Sequence, residues 1–256
     1  MSLKFASLGS GSQGNALLVR SASATLLVDC GFSLTEVERR LARFDISGTD
    51  INAVLVTHEH GDHVGGVSVL ANRYSLPVYC TPGTYHAASS LHGLTTIKMI
   101  HGYQPFHIED IKIEPFPVPH DAREPSQFVI SRGKNKLGIL TDCGSSTEHL
   151  LEKLTGCSSL FIEFNHDEKL LAKSVYPKSL KDRISGPFGH LSNGEAMDVL
   201  KRVRTESLQN VVAAHLSEKN NNDGLVKDLL MTNLDGYTYR VLVASQSKGT
   251  AWICSA

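Results

Sequence analysis

Four potential metal ligands lie within six consecutive positions of the chain, in the run THEHGDHVGG. His58 and His60 are two residues apart, so in an extended segment both side chains point to the same side. Asp62 and His63 follow at the expected start of a helix, where they could face a second metal ion. Imidazole nitrogens and carboxylate oxygens suit zinc, iron or manganese. A solvated histidine-rich turn is the alternative, but the apolar strand predicted over 51–56 and the glycines of the run favour a loop of defined shape.

The elements that must position this loop follow from apolar periodicity and from turn residues. Strands are predicted over 3–8, 15–20, 24–28, 51–56, 77–80, 111–116, 127–131, 136–141, 159–163, 210–214 and 239–243. Helices are predicted over 34–44, 63–74, 83–92, 147–154, 193–203 and 225–232. Ser33 with Glu36, and Ser192 with Glu195, have the spacing of a capping box at a helix start. The alternation of these elements predicts an α+β fold, a four-layer αββα sandwich in a single domain over 1–256.

The gross composition is that of a globular protein. The chain has 256 residues, of which 41% are hydrophobic and 20% charged, so it can bury a core without disulfides. Its formal net charge of −1 neither favours nor excludes a nucleic-acid partner. The five cysteines contain no CxxC pair, which indicates a reducing compartment. Because neither a signal peptide nor a run of about 20 apolar residues is found, a cytoplasmic protein that does not cross a membrane is expected.

The histidine run after a strand resembles the metallo-β-lactamase superfamily, and the chain fills the other positions of that family's pattern in order. Asp29 in LLVDCG matches an aspartate that supports the metal loop by hydrogen bonding. His120 in FPVPHDA, Asp142 in LGILTDCG and His215 in VVAAHLS match the later ligands. Taken alone, Asp142 could equally be a metal ligand or an ordinary aspartate in a turn. His120, taken alone, is better explained as a histidine in a loop. The ordered set favours metal ligands for both.

This resemblance implies two divalent metal ions, zinc or manganese, with iron as a further option. The ions would supply a metal-bridged hydroxide for hydrolysis. The implied ligands are two sets and one residue that bridges them: His58, His60 and His120; Asp62, His63 and His215; and Asp142. An aspartate suits the bridging position because each of its two oxygens can bind one ion.

Two further segments distinguish the branches of the superfamily. His190 in GPFGHLSNGEA resembles the histidine of the tRNA 3′-processing endonuclease branch, which gives a proton to the leaving oxygen. Glu163 in LFIEFNHD matches a carboxylate that orients that histidine. With the metal ligand Asp62, these two residues form the predicted catalytic set. A histidine in a helix-capping loop without a catalytic part is the alternative for His190.

Polar residues near these segments are also expected at the site. Asn165, His166 and Asp167 are expected to line it, with His166 in a surface turn and not at a metal ion. In LGSGSQGNALLV, Ser10, Ser12 and Asn15 belong to a glycine-rich turn. That turn could offer backbone N–H groups to a ligand or could simply join two strands.

Taken together, the segments resemble the YycJ/WalJ-like subgroup, bacterial proteins regarded as phosphodiesterases or exonucleases that act on nucleic acid. The implied function is a two-metal phosphodiesterase or 5′-exonuclease-like nuclease with a nucleic-acid substrate. A group of cations could contact its phosphates or form a solvated charged stretch: Arg123, Lys178, Lys181 and Arg183. The alternatives are a thioester or lactone hydrolase of the glyoxalase II or lactonase type, and a regulatory module without activity. A homodimer is expected because dimers are common among soluble proteins.

Overall fold

Two mixed sheets and the helices around them make up the computed structural model, which describes residues 3–233, 236 and 238–255. The strands are β1 (Leu3–Gly9), β2 (Ala16–Arg20), β3 (Thr25–Val28), β4 (Ala53–Leu55), β5 (Val78–Cys80), β6 (Ile97–Met99), β7 (Phe106–Ile108), β8 (Ile111–Pro117), β9 (Ser126–Arg132), β10 (Asn135–Leu140), β11 (Ser159–Glu163), β12 (Asn210–Ala214), β13 (Arg240–Val243) and β14 (Ile253–Ser255). The α-helices are α1 (Leu34–Ala42), α2 (Gly61–Val64), α3 (Val67–Tyr74), α4 (Pro82–Ala87), α5 (Glu148–Leu154), α6 (Glu168–Lys173), α7 (Lys178–Ile184), α8 (Asn193–Val203) and α9 (Asp223–Thr232). Short 3-10 helices cover Gly48–Asp50 and Ser89–Leu91.

The sheets pack face to face and carry helices on their outer faces. The first sheet has the strand order β14-β1-β2-β3-β4-β5-β6, and the second has the order β13-β12-β11-β10-β9-β8-β7. Phe5 and Val19 of the first sheet share one buried cluster with Ile113 and Phe128 of the second. A second cluster joins α1 and α3 to the first sheet, and a third joins α5, α8 and α9 to the second. The αββα sandwich predicted from the sequence is therefore confirmed.

Parallel strands bring the chemically important residues to one edge of the sandwich. In the first sheet, β3 to β6 are parallel neighbours, and in the second sheet β10 to β13 are. Asp29 follows β3, Asp142 follows β10, Glu163 ends β11 and His215 follows β12. Since the carboxyl ends of parallel strands meet at the same edge, these four side chains converge there.

The helix predicted over 63–74 is wrong in one respect, because it is interrupted. α2 is a single turn, and two residues, Gly65 and Gly66, separate it from α3. The Gly66 N–H donates to Cys30 O at 2.7 Å, and a Cβ on Gly66 would lie 1.8 Å from Phe32 O. The break therefore lets this backbone pack directly against the loop after β3. The predicted helix over 83–92 is also divided, into α4 and the 3-10 turn Ser89–Leu91.

One of the two predicted capping boxes forms. At the start of α8, the side chains and backbone N–H groups of Ser192 and Glu195 make both hydrogen bonds of the motif. At the start of α1, Ser33 makes no side-chain cap. Glu36 accepts hydrogen bonds from Arg39 and Arg40 instead, at 2.6–2.8 Å. Charged partners one turn away therefore compete successfully with the cap for this carboxylate.

Two expectations from composition can be compared with the structure. All five cysteines are free thiols. Among the residues that the structure describes, no helix combines the length and the apolar character needed to cross a membrane.

Candidate metal centre

The histidine run forms the turn between β4 and α2. His60 precedes α2 with extended backbone angles (φ −62°, ψ 145°), whereas Asp62 and His63 lie inside the helix. His60 Nδ1 lies 3.1 Å from His58 Nε2 and 3.2 Å from His120 Nε2. One ligand atom from each of these three imidazoles lies within 4.8 Å of the other two. The structure thus brings together the three histidines predicted to share the first ion.

The second predicted set also converges. Asp62 Oδ2 lies 3.4 Å from His63 Nε2 and 3.4 Å from His215 Nε2. His63 and His215 are buried, whereas Asp62 is partly exposed. Ligand atoms from the three residues lie within 4.8 Å of one another. Asp62 is therefore the most solvent-exposed member of this set.

Asp142 lies between the two sets. Its Oδ2 lies 2.8 Å from His63 Nε2. Its Oδ1 lies 3.4 Å from His215 Nε2 and 4.0 Å from His120 Nε2. One carboxylate therefore faces histidines of both sets, as the bridging position requires.

The chemistry of these side chains fits divalent cations. Asp142 Oδ2 is buried, and apart from the 2.8 Å contact with His63 Nε2 it is left unpaired by the hydrogen bonds of the protein. Buried carboxylates are normally paired, hydrogen-bonded or bound to metal. Neutral imidazole nitrogens that face one another at 3.1–3.2 Å can share at most one proton, and a cation would satisfy both lone pairs.

Three residues of the centre have left-handed backbone conformations. The φ angles are 59° at Asp29, 51° at Asp142 and 53° at His215. For a residue other than glycine such a conformation costs about 1–3 kcal/mol, and it is concentrated at functional sites. Each residue lies one or two positions past the end of a strand. The left-handed turn therefore redirects the chain where its side chain enters the centre.

Asp29 fixes the orientation of the metal loop. Its Oδ1 accepts a hydrogen bond from Thr57 N, and its Oδ2 accepts one from Thr57 Oγ1, both at 2.8 Å. Its Oδ2 also lies 2.8 Å from His63 Nδ1. With Nδ1 held by the carboxylate, Nε2 of His63 is the nitrogen that faces Asp62 and Asp142. The contacts match the supporting role that the family resemblance implies for Asp29.

Replacing Asp29 by alanine is expected to weaken binding of a divalent metal ion by about 10–100-fold, because His63 loses the partner that orients it. The affinity is measured by competition with a chelating dye, and a thermal melt of the metal-free protein checks the fold. Asp198→Ala, on an exposed position of α8, is the matched control and should retain the native affinity. Equal affinities for Asp29→Ala and the control would contradict the prediction.

Asn15 is a residue of the site whose contacts the sequence did not reveal. Its Nδ2 lies 3.2 Å from Asp62 Oδ2 and 3.1 Å from His63 Nε2. Its Oδ1 accepts hydrogen bonds from Ser10 Oγ and Gly11 N, and Ser10 Oγ in turn accepts one from His215 N at 2.9 Å. The glycine-rich turn is therefore more than a connection between strands. The only signal in the sequence was its unusual density of small polar residues.

Glu163 connects the predicted ligand His215 to His190. Its side chain is fully buried. Oε1 lies 2.8 Å from His190 Nδ1 and 3.0 Å from His215 Nδ1. Oε2 accepts hydrogen bonds from Cys143 N and Leu191 N at 3.0 and 3.2 Å. The carboxylate is therefore held on both oxygens and orients two imidazoles at once, which includes the contact predicted with His190.

The three polar residues after Glu163 meet expectation only in part. His166 is 1% exposed, so the predicted surface turn is wrong. It forms an isolated β-bridge with Ser192, which buries it under the start of α8. Asn165 donates to His215 O at 3.1 Å and thus supports the centre. Asp167 is the N-cap of α6, where its Oδ1 accepts a hydrogen bond from Leu170 N.

Burial and nearby charges shift the pKa values of the centre in opposite directions. Burial, with the neighbouring imidazoles, lowers the pKa of His58, so this side chain stays neutral. Burial also disfavours the charged form of His215, but the carboxylates of Asp142, Asp62 and Glu163 outweigh it and raise its pKa to about 10. The pKa of His190 is raised in the same way, because Glu163 and Asp142 outweigh its burial. Burial raises the pKa of Glu163, but His190 and His215 lower it to about 2. The carboxylates are ionised at neutral pH and attract cations.

The four basic residues that the sequence analysis names differ in their contacts with the site. Arg183 is exposed and pairs with Asp121, Nε to Oδ2 at 2.5 Å, next to His120. Lys181 donates from Nζ to Ala172 O, and Lys178 is exposed at the start of α7. Arg123 is exposed after the His120 turn. Arg183 is the member whose side chain contacts a residue next to a predicted ligand, whereas Arg123 is tied to the histidine run through its backbone N–H, which donates to Glu59 at 2.7 Å.

Two packed sheets with histidines and carboxylates gathered at their shared edge define the fold and site of a metallo-hydrolase. The family model for the β-lactamase superfamily domain matches residues 24–215, and the chain belongs to this superfamily. It is a metal-dependent hydrolase, as its sequence pattern predicted.

Relatives within the superfamily are more specific. The chain is 37% identical over 224 residues to the exodeoxyribonuclease YycJ of Bacillus anthracis, which covers 86% of this chain and 85% of the relative. It is 32% identical over 223 residues to the exodeoxyribonuclease WalJ of Streptococcus pneumoniae, with 85% and 83% covered. The solved metallo-β-lactamase fold protein YhfI of Bacillus subtilis has a TM-score of 0.75 at 18% identity, over 98% of this chain and 99% of that one. The resemblance to the YycJ/WalJ-like subgroup is confirmed.

Proposed function

We propose that the chain is a nuclease that hydrolyses phosphodiester bonds of DNA, working from the 5′ end. The observation that carries the proposal is the buried Glu163 carboxylate, 2.8 Å from His190 Nδ1, beside the cluster around Asp142. A leaving alkoxide needs a proton, whereas many other leaving groups do not, and a positioned histidine is suited to provide one. The exodeoxyribonuclease relatives support the choice of DNA.

We propose two divalent cations, zinc or manganese with iron as an option, as the cofactors. His58, His60 and His120 would hold one cation, and Asp62, His63 and His215 would hold the other, with Asp142 shared. When bound, such a pair of cations supplies an activated water and stabilises negative charge on phosphate oxygens.

The chain's own residues carry the remaining steps. Glu163 holds His190 through Nδ1, which leaves Nε2 as the nitrogen that can give a proton to the leaving oxygen. Because Glu163 also contacts His215 Nδ1, it fixes the separation between the proton donor and a ligand of the centre. Asp62, partly exposed among the ligands, lies on the solvent side where the scissile phosphate would enter.

The test is incubation of the purified protein with 5′- and 3′-labelled, single- and double-stranded DNA and RNA, under zinc or manganese. The expected result is stepwise release of nucleotides from the 5′ end of DNA, lost on chelation and restored by metal. Elemental analysis should give about two divalent ions per chain. Metal-loaded protein that leaves every oligonucleotide intact but rapidly hydrolyses thioesters or lactones would overturn the proposal.

Two finer expectations belong to the same proposal, a cytoplasmic location and a homodimer. Cell fractionation tests the first, and sedimentation of the purified protein tests the second.

A further inference from the structure

Phe188 is an exposed aromatic side chain on a loop whose backbone is held from several sides. The residue is 60% exposed. Phe188 O accepts a hydrogen bond from Asp121 N at 2.9 Å, and Gly189 N donates to Gly186 O at 2.8 Å. A Cβ on Gly144 would lie 2.6 Å from Phe188 Cα, so the loop rests on the turn that follows Asp142. The position from which the ring projects is therefore fixed.

The loop that carries Phe188 adjoins two residues of the proposed machinery. Two positions further along the chain is His190, whose N–H donates to Ile184 O at 2.8 Å. The intervening Gly189 O is 3.0 Å from His120 Nδ1. The backbone of the Phe188 loop thus contacts one predicted metal ligand and carries the proton donor. Phe188 therefore lies on a loop that adjoins both residues.

Exposure alone says little, because single exposed apolar side chains are common. The other large exposed apolar residues that the structure describes include Val69, Tyr103 and Met231, none of them within two residues of a predicted site residue. The Tyr103 ring already has an aromatic neighbour, His149, at 5.3 Å. Phe188 differs from these because its loop contacts His120 and carries His190.

The charge beside Phe188 suits a phosphate backbone. The exposed Arg183 guanidinium is anchored by Asp121, whose N–H is the group bonded to Phe188 O. Lys178 and Lys181 lie on the same helix, α7, which leads into the Phe188 loop. Cations that follow a backbone, combined with an aromatic ring on which a base can stack, are the features by which proteins hold single-stranded nucleic acid.

We propose that Phe188 binds the nucleobase of a nucleotide next to the scissile phosphodiester by stacking against its face. This inference rests on the proposed nuclease function and adds the contact that places the strand end at the centre. Stacking tolerates any base, since each has a π-face. The site would therefore bind a DNA end independently of its base sequence.

Steady-state kinetics on 5′-labelled single-stranded DNA tests the inference. Phe188→Ala is expected to raise KM roughly 5- to 100-fold, with a smaller change in kcat. Phe188→Trp should keep KM near or below the native value, whereas Phe188→Leu, apolar but without a π-face, should behave like the alanine variant. Met231→Ala removes a 56% exposed side chain from α9 and is the matched control. Thermal melts verify that all variants are folded.

Substrates with one abasic residue at the first, second or third nucleotide identify the stacked base. With the native protein, the abasic substitution at the stacked position should raise KM as much as Phe188→Ala does. Combined with Phe188→Ala, it should add nothing, because the two changes remove the same contact. Cleavage by the native protein with KM unchanged in Phe188→Ala, or losses that add fully at every position, overturns this inference alone. Absence of any DNA cleavage by the native protein overturns the proposed function as well.

Discussion

Asp142→Ala is expected to reduce hydrolysis of DNA by at least about 10³-fold, above the loss typical for removal of one electrostatic group. It should also remove about one bound divalent ion per chain. The reason is that one buried carboxylate faces both predicted sets, 2.8 Å from His63 and 3.4 Å from His215. The neighbouring Glu163 carboxylate cannot replace it, because both of its oxygens are already hydrogen-bonded. Elemental analysis and the labelled-DNA assay measure the two effects.

Asp142→Asn separates charge from shape. The amide fills the same volume and keeps one oxygen, but it is neutral and cannot be shared by two cations. We therefore expect nearly the same loss of activity as with alanine and a fold that is retained in thermal melts. An alanine variant that keeps both ions and more than a tenth of the native activity would show that Asp142 does not bridge the sets.

Local sequence predicts those helices and strands whose first and last residues are marked by their own residue types. The strands Ser159–Glu163 and Asn210–Ala214 and the helix Asn193–Val203 have the predicted bounds. Each combines a long apolar run or stripe with a clear boundary, such as the capping box at Ser192. The order of strands and helices along the chain is then enough to predict the αββα sandwich, because few arrangements of layers bury both sheets.

The elements that the sequence does not predict are short, exposed or dependent on a distant partner. β6, β7 and β14 are three residues each, and β14 exists because it pairs with β1 at the opposite end of the sequence. α7 buries none of its side chains, so it has no apolar stripe to detect. His166 was misplaced for the same reason as β14, since its burial results from a bridge to Ser192.

In the candidate site, too, some residues can be predicted from the sequence and others cannot. The predicted ligands could be picked out because their residue types and order are unusual. What the sequence could not supply is the network that orients them, such as Asn15 against Asp62 and His63. Asparagine in a glycine-rich turn is ordinary in a sequence. Its role depends on a backbone approach between two loops that are 47 residues apart.

His190→Ala is expected to reduce cleavage of DNA by about 10²–10⁴-fold, the usual contribution of a positioned proton donor. The loss should depend on the leaving group. DNA releases an alkoxide that needs a proton, whereas bis(p-nitrophenyl) phosphate releases a stable phenolate that does not. We therefore expect less than about a tenfold loss on the activated ester. The measurement is kcat/KM for both substrates under the same metal.

Glu163→Gln probes the same step through the residue that holds His190. The amide keeps the size of the side chain but loses the negative charge 2.8 Å from His190 Nδ1. Its effect on DNA should exceed its effect on the activated ester, as for His190→Ala. Because Glu163 also lies 3.0 Å from His215 Nδ1, bound metal is measured in parallel. Equal losses on both esters with metal retained would assign His190 to substrate binding, and equal losses with metal lost would assign Glu163 to the support of His215.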